Sequence, residues 1–207
     1  MKKKLFLSAL LVTGFLITSC SNTSTDNKTA TEQSGETGLQ PVTDSLKVDW
    51  TAYKTTDKVP VAGSFTKVTL SNISSGTTLE SVLNNATFTI DANELVTGDT
   101  ARDRKIVQFF FSKMASPGEI TGQLHYEEGQ WSVALTMNGV TVGSLPAEMS
   151  FGQGVAQLKT TIDLNDFKAL TALKSLNDAC HELHMGSDGI SKTWEVVDVV
   201  ATLPFRK

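Results

Sequence analysis

The 207-residue sequence predicts a mainly β protein: an eight-stranded antiparallel β-barrel with one helix inserted near the C-terminal part. Three observations lead there. Eight runs of alternating apolar and polar residues follow one another between positions 46 and 205, mostly separated by short turns. Asn138-Gly139 sits between two of those runs, and this dipeptide suits a tight hairpin because both positions accept φ > 0. A single stretch, around 165–185, repeats its apolar residues every three or four positions instead of every two. Closing such a meander removes exposed strand edges, and eight strands enclose either packed side chains or one small ligand.

Composition sets the limits. Charged residues are 19% of the chain and hydrophobic residues 40%, enough apolar content for a buried core. The formal net charge of −4 excludes a large basic footprint, so no nucleic-acid partner is expected. Two cysteines exclude both a disulfide-dense scaffold and a four-cysteine metal site.

The first element is an address. Lys2, Lys3 and Lys4 precede an apolar stretch from Leu5 to Ile17, which is shorter than the roughly 20 residues a spanning helix needs. Ile17-Thr18-Ser19-Cys20 resembles a bacterial lipobox. That resemblance implies a signal peptide over 1–19, cleavage before Cys20, and lipid (palmitate among the acyl chains) on the Cys20 thiol and its new α-amine. Several acyl chains, each buried CH₂ contributing about 0.8 kcal/mol, give near-permanent anchoring to a membrane of the cell envelope. Residues 20–44 are rich in Ser, Thr, Asn and Gly and have no aromatic residue, which predicts a flexible tether. The folded domain is expected over 45–207.

Leu46, Val48, Trp50 and Ala52 open the alternation. The run 58–70 carries Val59, Val61, Gly63 and Phe65, with Gly63 suggesting a bend or bulge. Ala86, Phe88, Ile90 and Ala92 form the third run; Ile120, Gly122, Leu124 and Tyr126 the fourth; Trp131, Val133, Leu135 and Met137 the fifth. Positions 140–151, then Ala156, Leu158, Thr160 and Ile162, then 193–205 complete the set. Positions 97–113 break the pattern, polar at first and aromatic at Phe109-Phe110-Phe111, and read as a helical turn or a lid. Over 165–185, Phe167, Leu170, Leu173, Leu176, Cys180 and Leu183 predict a helix capped by Asn165 or Asp166 and ended by Gly186.

Several blocks resemble the YceI-like family. They are Val48–Lys54 with Val59–Phe65, Leu95–Asp103 with Phe109–Phe111, Asn138-Gly139-Val140-Thr141, Ile162–Phe167, and Val196–Leu203. The chain departs from the family pattern at Asn138, where a His is usual, and at Leu164-Asn165, where an Arg often follows the Asp. The resemblance implies a lipocalin-like barrel around a long apolar chain: a polyisoprenoid, an isoprenoid quinone or a similar amphiphile, stored or transported, with no cofactor. A homodimer is compatible with it.

Binding such a chain rests on burial and dispersion, roughly 0.8 kcal/mol gross for each CH₂. The residues expected to line the site are Trp50, Phe65, Phe88, Ile90, Leu124, Trp131, Leu135, Val199 and Leu203, with Phe110 from the aromatic run. Arg102, beside Asp103, stands either at the mouth or in an ion pair fixing 97–113. The same apolar residues also suit a solid core, which would leave no cavity above about 300 Å³. A third reading is enzymatic: Cys180, His181 and His184 on one helix place sulfur and two imidazoles at spacings that suit zinc. Motifs for nucleotide binding or nucleophilic hydrolysis are absent from the sequence.

Overall fold

A computed structural model describes residues 38–206. The predicted leader 1–19, Cys20 and the spacer up to residue 37 lie outside the described residues. Strand β1 (Gln40–Pro41) is followed by β2 (Lys47–Lys54), β3 (Val59–Phe65) and β4 (Val68–Ser71). Helix α1 (Leu79–Leu83), β5 (Thr87–Asp91), β6 (Leu95–Val96) and helix α2 (Thr100–Phe109) come next. Then β7 (Glu119–Glu127), β8 (Gln130–Met137), β9 (Val140–Gly152) and β10 (Val155–Asp163) lead to helix α3 (Leu170–Ala179) and β11 (Val196–Arg206).

All strands join one curled antiparallel sheet in the order β4-β5-β7-β8-β9-β10-β11-β2-β3-β6, with β1 on β11. The expectation of eight strands is therefore corrected to eleven among the described residues. The run 58–70 divides because β3 pairs with β2 whereas β4 pairs with β5. At the break, the Thr66 amide donates to Glu94 O and the Asp91 amide to Lys67 O. Strands β1 and β6 have two residues each, too few for an alternation to be visible. The hydrogen-bonded path also stops at β4 and β6 instead of closing; the two residues Thr66-Lys67 carry the chain across. Strand β9 joins the halves on the other side, its first part on β8 and its second on β10.

Asn138-Gly139 does turn a hairpin, with φ of 53° and 69°. Gln40-Pro41, within the stretch read as tether, already lies along Phe205 and Arg206 of β11. Gly63 has a different reason from the expected bulge. It faces Trp50 across β2 and β3, and a Cβ there would collide with the indole ring. The strand needs a residue without a side chain so that the ring can lie over it.

The helix expected over 165–185 is shorter. Asp163 Oδ1 accepts from the Asn165 amide at 2.9 Å, Lys168 has φ of 53°, and the chain turns around a fully buried Phe167 before α3 begins at Leu170. Neither Asn165 nor Asp166 caps it; its first flanking residue, Ala169, makes no side-chain cap. At its end the backbone tightens to a 3₁₀ turn over His181–His184, well before Gly186. The undecided segment 97–113 contains α2, whose start is capped by Asp99 accepting from the amides of Ala101 (2.9 Å) and Arg102 (3.1 Å).

Candidate functional site

The inward-facing side chains of the sheet do not fill it. An inner cavity of about 120 Å³ is walled by β2–β5 and β7–β11, including Phe88, Ile90, Leu124, Leu135 and Leu203, with Leu83 of α1. Thr160 alone brings a polar side chain to this wall, and its hydroxyl is spent on Pro146 O at 2.8 Å. An outer cavity of about 310 Å³ is bounded by β2, β3 and β11 on the sheet side and by α2, α3 and the segments following them. Phe65, Ile120, Met137, Ile162 and Val199 line both cavities and form the waist between them.

Aromatic rings run along the outer wall. Trp50 and Phe65 lie 6.4 Å apart between centroids, Phe65 and Phe111 6.2 Å, and Phe110 and Phe111 5.0 Å in an edge-to-face pair. The Trp50 ring is 8% exposed and its indole N–H has no hydrogen-bond partner in the protein. A buried donor left unpaired is destabilising by about 1–3 kcal/mol, so such groups call for an explanation.

The rim of the outer cavity is charged. Lys54, Arg102 and Lys105 line it, with Asp99 as the one acidic residue among the described lining residues. Lys54 Nζ donates to Leu183 O at 3.0 Å, and Arg102 Nη2 lies 3.9 Å from Asp99 Oδ2. The amides of Arg102 and Ala101 hold the Asp99 carboxyl below the usual carboxylate range, with the Arg102 and Lys105 charges adding to the effect. Asp103 does not pair with Arg102; its Oδ1 accepts from the amide (2.9 Å) and hydroxyl (2.6 Å) of Thr97, and so fastens the entry to α2.

His184 also lines the outer cavity. Burial pushes its pKa down to about 4, and the nearby charges of Lys54 and Lys105 push the same way, so the imidazole is neutral at pH 7. Its Nδ1 lies 2.6 Å from Thr193 Oγ1, and that hydroxyl donates to Asn177 Oδ1 at 2.8 Å. Because its O–H already points at Asn177, Thr193 accepts from His184, which assigns the proton to Nδ1 and leaves Nε2 an acceptor.

The sequence-predicted residues fall as follows. Trp50, Arg102 and Phe110 line the outer cavity, Phe65 and Val199 the waist, and Phe88, Ile90, Leu124, Leu135 and Leu203 the inner cavity. Trp131 lies outside both, buried with its ring 5.0 Å from Tyr126. The zinc arrangement does not form. Cys180 is a buried free thiol, His181 turns outward to Glu182 at 3.2 Å, and His184 is held by Thr193. The end of α3 at Ala179 breaks the helical spacing that would have aligned them, and among the described residues no group of three metal-binding side chains converges. Ile120, Met137 and Ile162 were missed, although each shares the parity of its strand's apolar face. Lys54 and Lys105 had no such signal, because only the fold brings a strand end and a helix together.

The chain was compared with known families and solved structures. The model of the YceI-like domain matches residues 39–200. A polyisoprenoid-binding domain from Saccharophagus degradans, implicated in plant cell wall breakdown, superposes with a TM-score of 0.58 at 14% identity, over 81% of this chain and 97% of that one. BcnA of Burkholderia cenocepacia has a TM-score of 0.49 at 16% identity, over 78% and 96%. A YceI protein of Campylobacter jejuni has a TM-score of 0.42 at 20% identity, over 71% and 85%. No curated protein matches the chain. The first of these likenesses shows a shared fold.

Proposed function

The chain belongs to the YceI-like family, and from that premise we propose that it binds a long apolar ligand, a polyisoprenoid, isoprenoid quinone or similar amphiphile, for storage or transport. The observation that carries this reading is the pair of apolar cavities meeting at Phe65, Ile120, Met137, Ile162 and Val199. The larger, about 310 Å³, already reaches the size of ligand pockets, and the smaller extends it inward. A chain threaded through the waist exchanges water for aliphatic and aromatic walls, roughly 0.8 kcal/mol for each CH₂ before ordering and association costs. Trp50, Phe65, Phe110 and Val199 would meet the outer half of the ligand; Phe88, Ile90, Leu124, Leu135 and Leu203 the inner half. Arg102 stands at the mouth. The binder acts at the surface of a cell-envelope membrane, held by lipid on Cys20. Among the described residues no helix is long and apolar enough to cross a bilayer.

Native mass spectrometry of the purified protein tests the binding. The expected result is a lipid adduct that organic extraction removes and added isoprenoid restores. Val199→Trp, which narrows the waist, should abolish the adduct while circular dichroism stays that of a β protein. A protein that carries no lipid as isolated, and takes up none when offered it, ends this reading.

A further inference from the structure

The cavities differ in polarity, and that difference gives the ligand a direction and a head. A wholly apolar guest would leave two features unused. Lys54, Arg102 and Lys105 stand around one mouth against a single carboxylate, Asp99, whose Oδ1 is engaged by the first amides of α2 and whose Oδ2 lies 3.9 Å from Arg102 Nη2. Lys54 spends one of its three donors on Leu183 O, and Lys105 makes no ion pair among the described residues. Both features call for oxygen atoms with negative charge, and neither has a counterpart in the inner chamber.

Building on the apolar-cavity reading, we propose that the site selects a single-chain lipid with an anionic oxygen head, a carboxylate or a phosphate monoester. The head lies among Lys54, Arg102 and Lys105, and the tail passes the waist into the inner chamber. The N–H···O⁻ bonds at the mouth are charge-assisted, and a partly desolvated rim strengthens them. Neutral His184 leaves the cationic balance unchanged and offers Nε2 to a head that keeps a proton, as a phosphate monoester can.

Four probes with one twelve-carbon tail separate head from tail: dodecanoate, dodecyl phosphate, dodecanol and dodecyltrimethylammonium, titrated below their micelle concentrations and followed by Trp fluorescence and calorimetry. Both anions are expected to bind about tenfold or more tighter than the alcohol, with the quaternary ammonium weakest. If one anion alone shows that gain, it identifies the head. The anion affinity should fall as salt rises, while that of the alcohol stays level. A Lys54→Gln, Arg102→Gln, Lys105→Gln variant should bring the anions down to the alcohol without moving the alcohol. Equal binding of all four probes overturns the head assignment and leaves the apolar cavity standing. Binding of none overturns both.

Discussion

The two chambers are built from one sheet yet have opposite characters. Strands wall the inner chamber almost all round, and strands alternate, so every side chain that faces in, Thr160 apart, belongs to the apolar set. The outer chamber takes half its wall from α2, α3 and the turns beside them. Those segments present one face inward and have ends; the first turn and the middle of α2 bring Arg102 and Lys105, and the turn after α3 brings His184, to the rim beside Lys54. A curled sheet therefore supplies a uniform greasy surface, while chemical discrimination is confined to where helices replace strands.

If that division is correct, the roof should be the more fragile half, and its keystone is Phe167. The ring is fully buried, and its carbonyl accepts from Asn138 Nδ2 at 2.8 Å, which ties the turn before α3 to the β8–β9 hairpin. Phe167→Ala is expected to cost about 3–5 kcal/mol, measured by urea unfolding. Hydrogen exchange should quicken in α3 and over His181–His184 far more than in β7 and β8. Equal loosening throughout would mean that the two chambers are one mechanical unit.

The second perturbation acts at the boundary. In Gly63→Ala the added methyl meets the Trp50 indole, which has to shift within the outer chamber. A loss of about 1–3 kcal/mol is expected for overpacking of this kind. The Trp emission should shift, and uptake of a long-chain ligand should fall. An unchanged spectrum would show that the indole is not pinned between the glycine and the cavity.

Gly63 also shows how far the sequence could be read. Its place inside a strand was visible, and so was the need for an unusual local arrangement. The partner, Trp50 on the neighbouring strand, became visible only with the register. The inner chamber was legible for the same reason that it is uniform. Period-two alternation marks the inward residues of each strand, and Phe88, Ile90, Leu124, Leu135 and Leu203 all face one cavity. Trp131 obeys the same parity but sits near a strand end, where an inward position reaches Tyr126 instead of the cavity. The outer rim was largely illegible. Lys54 ends a strand, Lys105 lies mid-helix and His184 follows a helix that stops early, and no periodic pattern links them. The helix was overextended because Phe167, Cys180 and Leu183 keep a helical spacing that Lys168 at φ of 53° and the 3₁₀ turn interrupt. The split of 58–70 was hidden because both halves alternate; only their change of partner at Thr66-Lys67 separates them.

The smallest of these effects separates the rim from the inner chamber by pH, since the inner chamber contains nothing that titrates. His184 has an ordinary pKa of 6.5 in the unfolded chain and about 4 in the fold. Between those values the unfolded chain holds more protons than the folded one, so stability falls as pH drops through 6.5 and levels off near 4. The loss from this one group is expected to be on the order of 1 kcal/mol, because the ring keeps some contact with water and screening reduces the effect. Urea midpoints at pH 7 and pH 4.5 measure it, with His184→Gln as the comparison, since an amide can still bond Thr193 but cannot titrate. The variant should lose less stability than the native protein over that interval. If both lose the same amount, the acid sensitivity lies in the carboxylates and His184 is not the buried base that its surroundings require.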